Sequence, residues 1–179
     1  MTDAGLDLIA VADWMGTHVA GFTGPVTAQK FAQGQSNPTY LLSSPARSYV
    51  LRRKPPGILL KSAHAVEREF RVQSALTGSD VPVARMLALC EDDGVIGSAF
   101  YVMDHVRGRN FSEPALRDLA HAERAAIFTQ MNQVLAAIHS VDLQATGLTD
   151  YGPEGNYYQR QIGRWTRQYR ASETQNIPA

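Results

Sequence analysis

Ser48-Tyr49-Val50-Leu51-Arg52-Arg53-Lys54-Pro55-Pro56-Gly57 decides the fold, because it reads as a strand that stops on two prolines. Neither proline can donate to a sheet ladder, and the glycine after them suits a turn. Side chains alternate along a strand, so Val50, Arg52 and Lys54 share one face while Tyr49, Leu51 and Arg53 share the other. A cation therefore points to the same side as a small apolar residue. Upstream, Thr39-Tyr40-Leu41-Leu42 is a second strand-like run, set off by turn-rich residues 34–38 and 43–45. The two predict an antiparallel hairpin. Downstream, strands are expected over residues 83–90 and 98–103, joined across Glu91-Asp92-Asp93-Gly94, whose Asp-Gly step favours a tight turn.

Helices flank this sheet. Leu8, Val11 and Met15 recur at helical spacing within residues 7–19, before Gly21 and the Gly24-Pro25 break. Ser62 suits the N-cap of a helix running to about Leu76, where Thr77-Gly78 ends it. Beyond Val106-Arg107-Gly108 the pattern turns helical. Ile127, Met131, Val134, Leu135 and Ile138 form one apolar stripe over residues 123–139, and Tyr158, Ile162, Trp165 and Tyr169 form another. Residues 142–155, with Gly147, Gly152, Pro153 and Gly155, read as loop. The class is α+β: an antiparallel sheet with one packed helix, then the first helices of an α-helical lobe.

Composition narrows the partners. Of 179 residues, 44% are hydrophobic, enough for a core, and 17 Lys and Arg balance 17 Asp and Glu. With no net charge, the chain has no general attraction to nucleic acid or an anionic bilayer, and neither is expected as a partner. The four arginines at 160, 164, 167 and 170 read as a solvated helix face. No apolar run approaches the roughly 18 residues of a membrane span, and no signal peptide opens the sequence, so a cytoplasmic protein is expected. The single cysteine, Cys90, sits in an apolar run and reads as a buried thiol. Five scattered histidines lack metal-ligand spacing, and His64 and His121 fall at helix starts where exposure is expected.

Within the helix after Ser62, steps of about 100° put Ala65, Val66, Phe70, Val72 and Leu76 on one face, with Glu69 in the middle of it. A carboxylate there is costly to bury without a cation, and Arg52 on the neighbouring strand can supply one. By itself such a pair reads more readily as structural, since structural ion pairs are common. Around it stand Gly34-Gln35-Ser36-Asn37 at a hairpin tip and Phe100-Tyr101-Val102-Met103 running into Asp104-His105-Val106-Arg107-Gly108. Small residues at a tip let backbone N–H groups approach phosphates, a strand cation can hold them, and a buried Glu can fix that cation.

In these segments the chain resembles the aminoglycoside phosphotransferase and choline kinase-like family, which has the protein-kinase fold. The carrying motifs are Gly34-Gln35-Ser36-Asn37-Pro38-Thr39-Tyr40, residues 49–57, Glu69 within Arg68-Glu69-Phe70-Arg71, Val81-Pro82-Val83, residues 100–108 and Ala136-Ala137-Ile138-His139-Ser140-Val141-Asp142. They are most similar to the branch that in eukaryotes is fused to acyl-CoA dehydrogenases. The resemblance implies a nucleotide-binding lobe over residues 1–104 and an incomplete helical lobe over 105–179. It makes Gly34, Gln35, Ser36 and Asn37 the phosphate-covering loop, Arg52 the phosphate-holding cation and Glu69 its helix partner. Asp104 to Val106 become the hinge whose backbone meets adenine, with Val50 and Met103 lining the base pocket. ATP is the implied cofactor, and a small-molecule alcohol the implied acceptor: aminoglycoside-like, choline-like or a hydroxyacyl thioester.

The sequence departs from the family pattern twice. Arg52 stands where the family has lysine, which exchanges a point charge for a planar fork and leaves Lys54 a rival on the same face. The His-x-Asp catalytic loop and the later metal-binding Asp have no counterpart, since His139-Ser140-Val141-Asp142 has the wrong spacing. Without them no catalytic residue is assigned, and ligands for Mg2+ are expected only in a further C-terminal part. The expectation is an N-terminal portion of a phosphotransferase, completed by that lobe or by a second copy. Two alternatives stand beside it: a catalytically inactive kinase-like binding or scaffolding module, and a small α+β interaction domain in which Arg52 and Glu69 are structural.

Overall fold

The computed structural model describes residues 2–3, 5–32, 36–55, 57 and 64–173. Two short strands, β1 (Thr2–Asp3) and β2 (Leu6–Asp7), pair antiparallel and lead into α1 (Leu8–His18). Asp7 caps that helix: its Oδ1 accepts from the backbone N–H groups of Ile9 and Ala10, both at 3.1 Å. Then come β3 (Thr27–Lys30), β4 (Thr39–Ser43), β5 (Ser48–Arg53), α2 (Val66–Ala75), β6 (Met86–Cys90) and β7 (Phe100–Asp104). The five longer strands form one antiparallel sheet in the order β3-β4-β5-β7-β6, with β5 at its centre. Two helices complete the chain, α3 (His121–His139) and α4 (Tyr157–Ser172).

Alternation along β5 divides two cores. Tyr49 and Leu51 face a cluster with Val11 and Met15 of α1, Leu42, Phe100 and Val102. The opposite face carries Val50 and Arg52, and there Val66 of α2 packs with Ala99 and Tyr101, flanked by Phe70, Met86, Leu89 and Met103. The sheet is thus a middle layer, with α1 on one side and α2 against β6 and β7 on the other. Cys90 belongs to the α1-side core, and burial pushes its thiol pKa up.

Several boundaries differ from the sequence expectation, among them β7, expected over residues 98–103 and found over Phe100–Asp104. The helix after residue 62 begins at Val66, and Ala65 at its N-cap has no side-chain oxygen to close the first turn. Ser62 lies outside the described residues. Strand β6 begins at Met86 rather than 83, and a bulge between Met86 and Ala88 shifts its register against β7. Its partner's last residue, Asp104, donates its backbone N–H to Arg85 O at 2.9 Å.

The chain divides into two compact units, Met1–Asp142 and Leu143–Ala179. The first holds the sheet and α1 to α3, and the second holds α4. No residue of α3 or of α4 is buried. Met131, Leu135 and Ile138 are exposed on α3, and Tyr158, Ile162, Trp165 and Tyr169 on α4. No helix among the described residues is long and apolar enough to cross a membrane.

Candidate functional site

Sheet register sets one row of side chains across three strands. Arg52 stands opposite Thr39 on one side and opposite Tyr101 on the other. One step along, Val50 stands between Leu41 and Met103. Both rows face the α2 side, because strand neighbours two residues apart share a face. From α2, Glu69 reaches down onto the first row.

Arg52 Nε donates to Glu69 Oε2 at 2.7 Å and Nη2 donates to Oε1 at 3.4 Å, the two-pronged geometry that a guanidinium offers and an ammonium cannot. Nη1 donates to Thr39 Oγ1 at 3.0 Å and to the Asn37 carbonyl at 3.4 Å. Four of the five guanidinium hydrogens are thereby committed within the protein. Tyr101 Oη donates to Glu69 Oε2 at 3.0 Å, and Asn37 Nδ2 donates to Oε1 at 2.8 Å. Burial first, and the Glu69 carboxylate next, push the Tyr101 phenol up to about 12.

Lys54, the rival cation, is drawn elsewhere. Its Nζ lies 2.9 Å from Glu67 Oε2 in the first turn of α2. Burial works against the Glu67 carboxylate, but its own backbone N–H and Lys54 outweigh that and hold its pKa below the ordinary value. Arg53, on the opposite face, is only 6% exposed and donates to Ser98 Oγ at 3.0 Å, Ile96 O at 3.0 Å and Lys54 O at 3.3 Å. Three consecutive cations therefore have three different fates.

A cavity of about 660 Å3 opens beside the clamp, lined by Phe31, Thr39, Val50, Arg52, Ala84 and Met103 and by residues of the 104–111 segment. Its walls carry polar and apolar atoms in similar measure. Of the residues singled out from the sequence, Val50, Arg52, Met103, Asp104 and Val106 line it. Glu69 stands behind Arg52. The Asp104 carboxylate reaches away to Arg47 at 3.3 Å, and Val106 is 68% exposed. Ser36 is exposed, whereas Asn37 is 2% exposed and turned onto Glu69. Gly34 and Gln35 lie outside the described residues.

Sequence reasoning missed three contributors. Thr39 and Tyr101 stand in the sequence reading only within strands and motifs, with no role at the clamp, and His64 only as an exposed helix start. The structure half-buries His64 and places its Nδ1 2.8 Å from Asn37 Oδ1. A polar alternation on β4 and β7 matched to Arg52 could have found the first two, given the register. No local pattern marks the third.

A five-stranded antiparallel sheet with helices packed on both faces is the fold of kinase-like phosphotransferases, and the chain belongs to the phosphotransferase enzyme family, whose model matches residues 27–179. Among relatives, it is 52% identical over 165 residues to mouse acyl-CoA dehydrogenase family member 10, covering 92% of this chain and 15% of that protein. It is 42% identical over 170 residues to human acyl-CoA dehydrogenase family member 11, covering 93% and 22%. A crystal structure of a candidate aminoglycoside phosphotransferase from Ralstonia eutropha is 53% identical with a TM-score of 0.82, covering 97% of this chain and half of that one. An aminoglycoside phosphotransferase solved as a ternary complex with ADP and hygromycin B shares the fold at 18% identity and a TM-score of 0.50, covering 77% and 40%. The chain thus spans a quarter or less of these curated relatives and at most half of these solved neighbours.

Proposed function

We propose that the chain is the ATP-binding lobe, with the first helices of the substrate lobe, of a phosphotransferase acting on a small-molecule hydroxyl. The observation that carries this reading is Arg52, gripped by Glu69 and lining one cavity together with Val50 and Met103. In it, residues 1–104 hold the nucleotide and residues 105–179 begin the acceptor lobe. Val50 and Met103 flank the adenine, the backbone from Asp104 to Val106 meets its edge, and residues 34–37 cover the phosphates. ATP, when bound, supplies the phosphoryl group. With four donors committed, Arg52 offers the phosphates its charge and a single remaining N–H, so it orients and neutralises rather than chelates. Lys54 is occupied by Glu67 and takes no phosphate role.

Among the described residues no group of three or more His, Cys, Asp or Glu could hold a metal ion. Because the family's His-x-Asp loop and later metal-binding Asp have no counterpart in this sequence, the acceptor's general base and the Mg2+ site are placed in a completing lobe, in the same chain or in a second copy. The acceptor is aminoglycoside-like, choline-like or a hydroxyacyl thioester, met in the cytoplasm.

Calorimetric titration of ATP into the protein expressed from its own gene tests the reading, together with Arg52→Met. The expected result is saturable ATP binding that the substitution abolishes while the melting temperature stays within a few degrees. Unchanged ATP affinity in a destabilised variant would instead make Arg52 and Glu69 a structural ion pair.

A further inference from the structure

The Arg52–Glu69 clamp is itself held, and by residues far from it in sequence. Asn37 is buried to 2% exposure, and its Nδ2 donates to Glu69 Oε1 at 2.8 Å. Its backbone carbonyl accepts from Arg52 Nη1 at 3.4 Å and from Thr39 Oγ1 at 3.0 Å. A single residue thus contacts both members of the pair.

The remaining polar atom of Asn37 settles a proton. A carboxylate only accepts, so the amide NH2 must face Glu69 and Oδ1 must face the other way. Oδ1 meets His64 Nδ1 at 2.8 Å. Two acceptors cannot share that contact, so Nδ1 carries the hydrogen. The ring belongs to a residue at φ 60°, in the left-handed region that non-glycine residues adopt rarely, and its carbonyl accepts from Val66 N at 2.9 Å as α2 begins. The turn that starts α2 therefore places the imidazole on Asn37, and the same helix two residues past its second position places Glu69 on the other side of that amide.

We propose that Asn37 and His64 are positioning residues for the phosphate-facing cation: His64, held as the Nδ1–H form, orients the Asn37 amide, which seats the Glu69 carboxylate on Arg52. This rests on the reading that Arg52 faces nucleotide phosphates. It couples the angle of α2 to the guanidinium through three side chains rather than through the ion pair alone. An amide is suited to that place because it donates to the carboxylate and accepts from the ring at once, which Asp, Ser or Leu cannot do in the same geometry.

Two readouts test it. In 15N-labelled protein at pH 9, long-range proton–nitrogen correlation, with the His64 signals assigned by their loss in His64→Leu, is expected to show the hydrogen on Nδ1, and Asn37→Ala to move it to Nε2. A hydrogen on Nε2 in the unsubstituted protein, or no change in Asn37→Ala, overturns the proposal whether or not the protein binds ATP. In calorimetry, Asn37→Ala and His64→Leu are expected to weaken ATP binding roughly tenfold, the scale of one hydrogen bond to a charged group. His64→Asn, whose amide NH2 can stand where Nδ1–H stood and whose backbone tolerates positive φ, is expected to restore affinity to within about twofold. Equal loss in His64→Asn and His64→Leu, or no loss in either, overturns the positioning role while leaving the ATP reading intact. Should Asn37→Ala not fold, the His64 pair decides. Absence of ATP binding in the unsubstituted protein counts against the nucleotide reading and with it the positioning role, and the nitrogen spectra then still test the Asn37–His64 contact.

Discussion

Glu69 accepts from Arg52, Asn37 and Tyr101 together, so one carboxylate satisfies donors from β5, from the segment before β4 and from β7. That sharing has a consequence for pH. The Tyr101 phenol is held at about 12 against 10 for the free side chain, so the folded chain keeps its proton where the unfolded chain has lost it. Stability from this source is fully present below pH 10 and drains away between about 10 and 12. Alkaline unfolding followed by circular dichroism should show that loss, and Tyr101→Phe should flatten it; the same alkaline profile in both proteins would sink the assignment. At this scale the sequence was partly legible. Alternation put Arg52 on the face of Val50, and helical steps put Glu69 in an apolar stripe, so their meeting was readable from two local periods. Thr39, Tyr101, Asn37 and His64 joined them across 13 to 32 residues of sequence. No local period reports such separations.

At the scale of elements, the helices differ in how their ends are closed. Asp7 gives α1 two capping bonds, whereas Ala65 offers the first N–H groups of α2 no side-chain oxygen, and the Glu67 N–H turns to its own carboxylate. Those groups include Arg68 and Glu69, whose N–H bonds run to the Ala65 carbonyl at 3.1 and 3.2 Å. Ala65→Ser would add an acceptor for the Arg68 N–H in the first turn, and urea denaturation should show a gain of about 0.5–1 kcal/mol. No gain, or a loss, would mean that the backbone at 65, held by the His64 turn, cannot present a capping side chain. Helix α2 is also where the sequence misplaced a boundary. Ser62 is a good capping residue by type, but the turn at His64 and the contact of its ring with Asn37 start the helix later. Hairpin positions were more legible, since Asp92 Oδ1 accepts from Gly94 N at 2.8 Å in the tight turn that the Asp-Gly step announces.

Over the whole molecule, the sheet carries α1 on one face and α2 on the other, while no residue of α3 or α4 is buried. Met131 is 58% exposed, Leu135 51% and Ile138 48%, along a groove that also takes in Ile127 and Val134. An apolar stripe of this length in water binds hydrophobic dyes. The 179-residue chain should therefore enhance anilinonaphthalene sulfonate fluorescence in its folded state, and Met131→Gln with Leu135→Gln should remove most of that signal without shifting the melting temperature. A large fall in melting temperature would show that these side chains pack within the unit after all.

What the sequence determined by itself is local and periodic: the strand ending at Pro55-Pro56, the stripe of α2 with its misplaced carboxylate, the α+β class and the motifs that mark a phosphotransferase. The first three rest on a repeat of 2 or 3.6 residues or on a turn chemistry that acts within four residues, and the last rests on a resemblance to the family. Tertiary structure alone decided that Lys54 goes to Glu67 and Arg53 to Ser98 and backbone carbonyls, and that Asn37 and His64 contact the clamp. Those outcomes depend on the register of β5 between β4 and β7 and on the distance from α2 to the sheet. Hydrogen-bond geometry of about 3 Å is set there, where chain neighbours carry no information about it.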